Sequence, residues 1–334
     1  MKTKKKRVTP LEATSSVIEV YRAAQRLRAD AFSAKAFTWI DAQFPIDRAV
    51  LVTSLRGATW VDAHFHRVPD PRALMESHDR VRHLDALSAR MISEPNRVHR
   101  SSFESKHVSG PRYAAFREHL KKFDGRWLLS IAVPNDRDET LTVLMVLRGW
   151  KSGRPDFDDN EHDVFAAIAP HIVEAFAVNR TTFLGTAAIP GAPPGHAPPV
   201  ASIDDNGRFI GTMPAFVRLF WPDEPPGTAY LPPHVLTRLR RGLPWPLPNG
   251  DHTLHAYEEE TGGFLLRLRS KSPADHLSAR ERQIAGLFAR GATYKAIAGE
   301  LSLSPATVRN HLQNLYAKLG VTQRDELHAL LAKP

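Results

Sequence analysis

Residues 277–323, LSARERQIAGLFARGATYKAIAGELSLSPATVRNHLQNLYAKLGVTQ, decide how this chain is read. Ser278 stands three residues before Glu281, the spacing of a capping box, and Ile284, Leu287 and Phe288 follow on one helical face. Gly291 suits a left-handed closing residue, and Thr293 can cap a second helix with Ile297, Ala298 and Leu301 inward. Ser302-Leu303-Ser304 makes a tight turn. Ser304 before Pro305 is a cap followed by a first-turn proline, where the missing N–H costs nothing. The third helix then runs from Pro305 to about Leu319, with Val308, Leu312, Leu315 and Leu319 on one face. Arg309, Asn310 and Gln313 share another. Their forked side chains match the donor and acceptor edges of guanine and adenine. Lys295, Ser304, Thr307 and Lys318 are placed to meet phosphates, which position a reader without informing it of sequence. Gly320 ends the helix, and Thr322 with Asp325 starts a fourth, whose stripe is Leu327, Leu330 and Leu331. The pattern is a helix-turn-helix.

The segment 275–334 resembles the LuxR-type four-helix DNA-binding domain of bacterial transcription regulators, on the Leu277-Ser-Ala-Arg-Glu start, the Gly291–Ala298 stretch and the Leu303–Leu312 stretch. The resemblance implies a homodimer on an inverted repeat of double-stranded DNA. It puts the third helix in the major groove and the fourth in the dimer contact. RNA polymerase is a further candidate partner. Gly299 inside the second helix costs about 1 kcal/mol relative to alanine.

The chain has 334 residues, so two or three domains are expected, and a net charge of +9 favours a polyanionic partner. Residues 275–334 hold eight Lys/Arg against five Asp/Glu, so most of the excess lies upstream. Lys2, Lys4, Lys5, Lys6 and Arg7 read as a disordered tail (1–10), with contact to DNA phosphates as the alternative. Cysteine is absent, which excludes disulfides, thiol redox sensing and Cys-based metal sites. No apolar run approaches the length of a membrane span, so no membrane association and a cytoplasmic location are expected.

Upstream, TAAIPGAPPGHAPP (186–199) reads as an extended linker between an 11–185 domain and a 200–271 module. In the first, residues 17–24 and 32–44 read as helices. Residues 49–55, 59–65, 127–133 and 140–147 read as strands. Asp158 and Glu161 form a second capping box, opening a helix through Val164, Ile168, Ile172 and Phe176 that Pro170 should kink or split. In the second, Asn206-Gly207 marks a hairpin, Pro214–Phe220 a short helix, and 251–257 with 263–269 a closing hairpin. Prolines 222, 225, 226, 232 and 233 interrupt its middle. By fold-level analogy the two resemble GAF-like and PAS-like sensors. The fold class is multidomain α+β: antiparallel sheet domains with flanking helices, then an all-α head.

Sixteen histidines invite a metal or haem reading. His64 and His66 share a strand face, His162 and His171 are nine apart, and His78-Asp79 and His162-Asp163 mimic metal phosphohydrolase dipeptides. Without distant partner ligands these remain core or surface histidines, and no metal or cofactor is expected. His311 on the third helix reads as structural or a backbone contact. No phosphate-cradling loop or nucleophile elbow is present, so catalysis is not expected. Three hypotheses follow: a regulator controlled by a small-molecule effector, one whose upstream region makes only protein contacts, and a hydrolytic sensor.

Overall fold

The computed structural model describes residues 9–14, 17–55, 60–137, 139–186, 199–221, 229–248, 250–260, 262–270 and 273–332. Residues 1–8 of the expected basic tail, the turn between the strands expected at 49–55 and 59–65, most of the expected linker, and Pro222, Pro225 and Pro226 lie outside them. Chain contacts separate two units. Of the described residues, one gathers those up to 186, 199–243 and 255–267; the other gathers 244–254 and 268–332.

The larger unit opens with α1 (Pro10–Thr14), α2 (Val17–Ala24) and α3 (Ala29–Gln43), then β1 (Arg48–Leu55) and β2 (Trp60–His66). Next come α4 (Pro71–Val81), α5 (Ala86–Ser93), β3 (His99–Ser102), α6 (Ala114–Lys122), β4 (Trp127–Asn135), β5 (Thr140–Arg148) and α7 (Asp159–Thr186). The five strands form one sheet in the order β2-β1-β5-β4-β3, with every neighbouring pair antiparallel. Leu51 faces Leu144 across β1 and β5, while Val50 faces Met145 and Val52 faces Val143. Successive side chains leave a strand on opposite sides, so the near-continuous apolar run of β5 indicates a sheet covered on both faces. Ala49, Leu51, Leu129, Ile131, Leu144 and Val146 pack with Phe32, Phe37 and Ile40 of α3 and Phe165, Ile168, Ile172 and Phe176 of α7. Met75 of α4 and Met91 of α5 pack with Val52 and Val143 of the other face.

The Asp158–Glu161 box is present, with reciprocal bonds of 3.0 and 2.9 Å. Pro170, however, does not split the helix: α7 is a single 28-residue element. An internal proline costs about 3 kcal/mol. Ile168, Ile172 and Phe176 are each fully buried, and each side chain returns about 1.5–3 kcal/mol. Burial therefore outweighs the lost hydrogen bond. The sequence reading also leaves 67–126 unassigned, although Asp70 before Pro71 is a cap signal: its carboxylate accepts the Ala73 N–H at 2.9 Å.

The chain continues with β6 (Val200–Ile203), β7 (Phe209–Thr212), α8 (Pro214–Phe220), α9 (Pro233–Leu239), β8 (Trp245–Pro246), β9 (His252–Glu258) and β10 (Phe264–Ser270). These strands form a second sheet, ordered β7-β6-β10-β9-β8. Gly207 turns the β6–β7 hairpin with φ of 77°, a conformation that favours glycine.

The smaller unit ends in four helices, α10 (Ala279–Ala289), α11 (Tyr294–Glu300), α12 (Pro305–Leu319) and α13 (Arg324–Ala332). Their core is Leu277, Ile284, Ala285, Ile297, Ala298, Val308, Leu312, Leu315, Leu319 and Leu327, with Leu287, Phe288, Leu301, Leu330 and Leu331 half-buried around it. Among the described residues no helix is long and apolar enough to cross a membrane.

Candidate nucleic-acid interface and sensor cavity

The four-helix head is built by capping. Ser278 Oγ accepts the Glu281 N–H at 3.2 Å, and Glu281 accepts the Ser278 N–H at 2.7 Å. Lys318 of α12 donates to both Glu281 oxygens at 3.2 and 3.0 Å. The Ser278 N–H, then Lys318, pull the Glu281 carboxyl down to about 2. Gly291 closes α10 with φ of 104°. Thr293 Oγ1 accepts the Ala296 N–H at 3.3 Å to open α11. Ser304 Oγ accepts the Thr307 N–H at 3.0 Å and shares a 2.8 Å hydrogen bond with the Thr307 hydroxyl. Gly320 closes α12 in the left-handed region at φ 66°.

Two arginines then tie the helices together by their C-terminal carbonyls. Arg280 donates to Leu301 O at 2.6 Å, at the end of α11. Arg324 donates to Phe288 O at 2.6 Å and to Ala292 O at 2.9 Å, at the end of α10. Each puts a cation where a helix presents its unsatisfied carbonyls and partial negative charge. The fourth helix is capped by Glu326, not Asp325: its carboxylate accepts the N–H of Thr322 at 2.7 Å and of Gln323 at 3.1 Å. A carboxylate in the first turn reaches back to the amides just before the helix, so the residue at the longer spacing serves.

This frame leaves α12 with one face in the core and Arg309, Asn310 and Gln313 exposed on the other. The Arg309 guanidinium lies 5.9 Å from the centroid of Tyr294, which stacks on Phe288 at 5.5 Å. Lys295 is exposed on α11, and Ser304 and Thr307 sit at the α12 N-terminus. Lys318 is engaged by Glu281, so a phosphate reaching it competes with a carboxylate. His311 is half-buried.

The larger unit holds a cavity of about 420 Å³ between the second face of its first sheet and the α4–α6 segment. Val50, Val52, Val143 and Met145 line the sheet side; Met75, Leu87, Met91 and Phe116 line the helical side. A buried polar group interrupts this apolar lining. Asp85 Oδ2 meets His78 Nε2 at 3.0 Å, and Asp85 Oδ1 accepts the N–H groups of Leu87 at 3.1 Å and Ser88 at 2.9 Å. His119 Nδ1 meets Ser77 Oγ at 3.0 Å, and the two histidine rings are 5.6 Å apart. Burial, then the neighbouring His78, push His119 down to about 4. Burial alone would raise Asp85, but the His78 and Ser88 bonds together hold it below its ordinary value.

The other histidines separate. His64 is buried against Ser33 Oγ at 2.9 Å, and burial lowers it to about 3. His66 packs on Phe37. His162 pairs with Asp163 at 3.1 Å, and His171 meets Tyr21. His78 pairs with Asp85, while Asp79 faces Arg82 at 3.6 Å. Among the described residues, no group of three His, Asp or Glu could hold a metal ion. Sequence reading did not find the His78–Asp85–His119 group, whose members meet only in space.

Comparison with known proteins places residues 275–331 in the GerE family, bacterial regulatory proteins of the luxR family. The probable transcriptional regulatory protein NarL of Mycobacterium tuberculosis (strain CDC 1551 / Oshkosh) is 48% identical over 59 residues, 18% of this chain and 27% of that protein. The chain thus spans about a quarter of the length of this curated relative. Among solved structures, Escherichia coli SdiA aligns over 96% of this chain and 97% of its own, at 13% identity and a TM-score of 0.40. CepR2 of Burkholderia cenocepacia, an N-acylhomoserine-lactone-dependent LuxR family factor, aligns over 49% and 93%, at 19% identity and a TM-score of 0.37.

Proposed function

We propose that this chain is a cytoplasmic transcription regulator that reads an inverted-repeat operator as a homodimer and is controlled by a small molecule. It acts by binding and not by catalysis. The observation that carries this reading is the exposed row Arg309, Asn310 and Gln313 on a helix capped by Ser304, inside a segment that matches the luxR family. Arg309, Asn310 and Gln313 meet base edges in the major groove, while Lys295, Ser304, Thr307 and Lys318 meet phosphates. The α13 helix contributes to the dimer contact. The cavity supports an effector over a region that makes only protein contacts, because concave apolar sites with a few convergent polar groups are where small molecules bind. Two five-stranded sheets flanked by helices support the GAF-like and PAS-like analogy. Control requires that the effector bind two arrangements of the protein with different affinity; tight binding alone shifts nothing.

The test is operator selection with the full-length protein, followed by binding of Arg309→Ala and Lys295→Ala to the selected site and to scrambled DNA. Arg309→Ala is expected to lose about 1–3 kcal/mol at the selected site and to relax specificity there. Lys295→Ala is expected to weaken all sequences alike and to reduce the salt slope by about one. Uniform weakening by Arg309→Ala would move that residue to the phosphate set.

A further inference from the structure

The cavity's lining is unusual in two respects. Three of the chain's five methionines, Met75, Met91 and Met145, lie on it. Six ring-bearing side chains do so as well: Trp60, Phe65, His78, Phe116, His119 and Phe123. The rings cluster around the histidines. Trp60 lies 5.7 Å from His78, Phe116 is stacked with His119 at 6.1 Å, and Phe123 lies 5.1 Å from His119. Aromatic faces and thioether sulfurs both interact more favourably with another ring than with an alkyl chain.

The polar group sets what such a ring must carry. An ionised Asp85 only accepts hydrogen bonds, so His78 Nε2 carries the proton between them. Asp85 already receives three donors and has little capacity left for a ligand cation. Of the cations that line the cavity, Arg48 is paired with Asp124 at 3.1 Å and Lys122 and Lys151 are exposed, so an anion at the histidines would share its surroundings with the Asp85 carboxylate. Two ring nitrogens, Nδ1 of His78 and Nε2 of His119, make no hydrogen bond among the described residues. His119 is neutral, and its partner Ser77 hydroxyl can rotate, so its Nε2 can donate or accept. A hydroxyl or ring N–H, which donates or accepts as its neighbours require, suits this pair.

We propose that the cavity takes an uncharged, compact aromatic molecule bearing one hydroxyl or ring N–H, with that group bound by His78 and His119. This rests on reading the cavity as the effector site. His78 and His119 are then ligand contacts, and Asp85 is a positioning residue that holds His78 in one tautomer.

The test uses the full chain and three probes, 2-naphthol, 2-naphthoate and 1-octanol, followed by thermal melting and tryptophan fluorescence. 2-Naphthol is expected to bind at least tenfold more tightly than either of the others. His119→Phe should weaken 2-naphthol about tenfold, the value of one hydrogen bond, and His119→Gln should recover most of it. Met145→Trp, which fills the cavity, should abolish binding. If 2-naphthoate or 1-octanol binds as well as 2-naphthol and Met145→Trp abolishes it, the ligand class is wrong and the effector site stands. Equal 2-naphthol binding by His119→Phe removes the histidine contact. If no probe binds, or if Met145→Trp binds 2-naphthol unchanged, both the ligand class and the effector reading of this cavity fall.

Discussion

The four-helix head and the larger unit are stabilised over different distances along the chain. In the head, every cap spans three or four residues: Ser278 with Glu281, Thr293 with Ala296, Ser304 with Thr307, and Thr322 with Glu326. Its longer ties, Lys318 to Glu281 and Arg324 to Phe288, span 37 and 36 residues. In the larger unit Thr53 meets Thr142 across 89 residues, and Asn179 meets the Ala24 carbonyl across 155. A unit built from near neighbours announces itself locally. A unit built from distant partners shows its elements in sequence but hides which of them touch.

The largest test of this contrast is Phe176→Ala. Phe176 is fully buried, stacked with Phe32 at 6.3 Å and edge-on to His64 at 4.8 Å. Its removal should cost the larger unit about 3–5 kcal/mol in denaturant unfolding. A cost under about 1 kcal/mol would mean that the distant contacts of α7 are loosely packed.

Acid should sharpen the contrast next. His64 and His119 are lowered to about 3 and about 4. Between those values and the ordinary histidine value near 6.5, the unfolded chain binds more protons than the folded one. Their stabilisation is therefore fully present above about pH 6.5 and is lost as the pH falls toward 4, at up to about 1.4 kcal/mol per pH unit for each histidine. Melting temperature against pH should be flat above 6.5 and fall below it. His119→Phe should flatten part of that fall, and an unchanged slope would show that His119 titrates normally.

Within the head, Ser304→Ala removes the α12 cap and should cost about 1 kcal/mol in head stability. Unchanged unfolding would mean that water replaces the hydroxyl. The smallest effect expected is a gain. Ser302 in the α11–α12 turn has φ of 55°, in the left-handed region that disfavours a side chain. Ser302→Gly should stabilise the head by about 0.5 kcal/mol. A loss would show that the serine side chain contributes more than the strain it causes.

What was legible follows the same division. Ser278, Thr293, Ser304 and Gly320 were found because a cap is a statement about three or four consecutive residues. The clamps made by Arg280 and Arg324 were not, since each reaches the end of a different helix. Ser302 was placed in the turn, but its left-handed backbone carries no mark when the residue is not glycine. In the larger unit, four strands of the first sheet stood out by their β-branched apolar runs. The helices of 71–122 are short and charge-rich, and only Asp70-Pro71 and Asp85 signal them. The exposed row Arg309, Asn310 and Gln313 was legible because one helix carries all of it. The cavity was not, because the members of its polar group come from α4, the cap of α5, and α6.

The order in which the chain is made bears on the larger unit. Arg28 pairs with Glu259 at 3.1 Å, Thr212 Oγ1 donates to the Val61 carbonyl at 3.0 Å, and Leu266 of β10 sits opposite Ala201 of β6. The first two pairs join residues before 187 to residues after it, and β10 ends just before the head begins. A ribosome that has released the first 187 residues has therefore not yet delivered the strands that complete their surface. The caps of the head and its longer ties all lie within residues 277–332, so none of them waits for another part of the chain. Arg28 and Val61 thus wait for partners that lie far downstream, whereas the head does not.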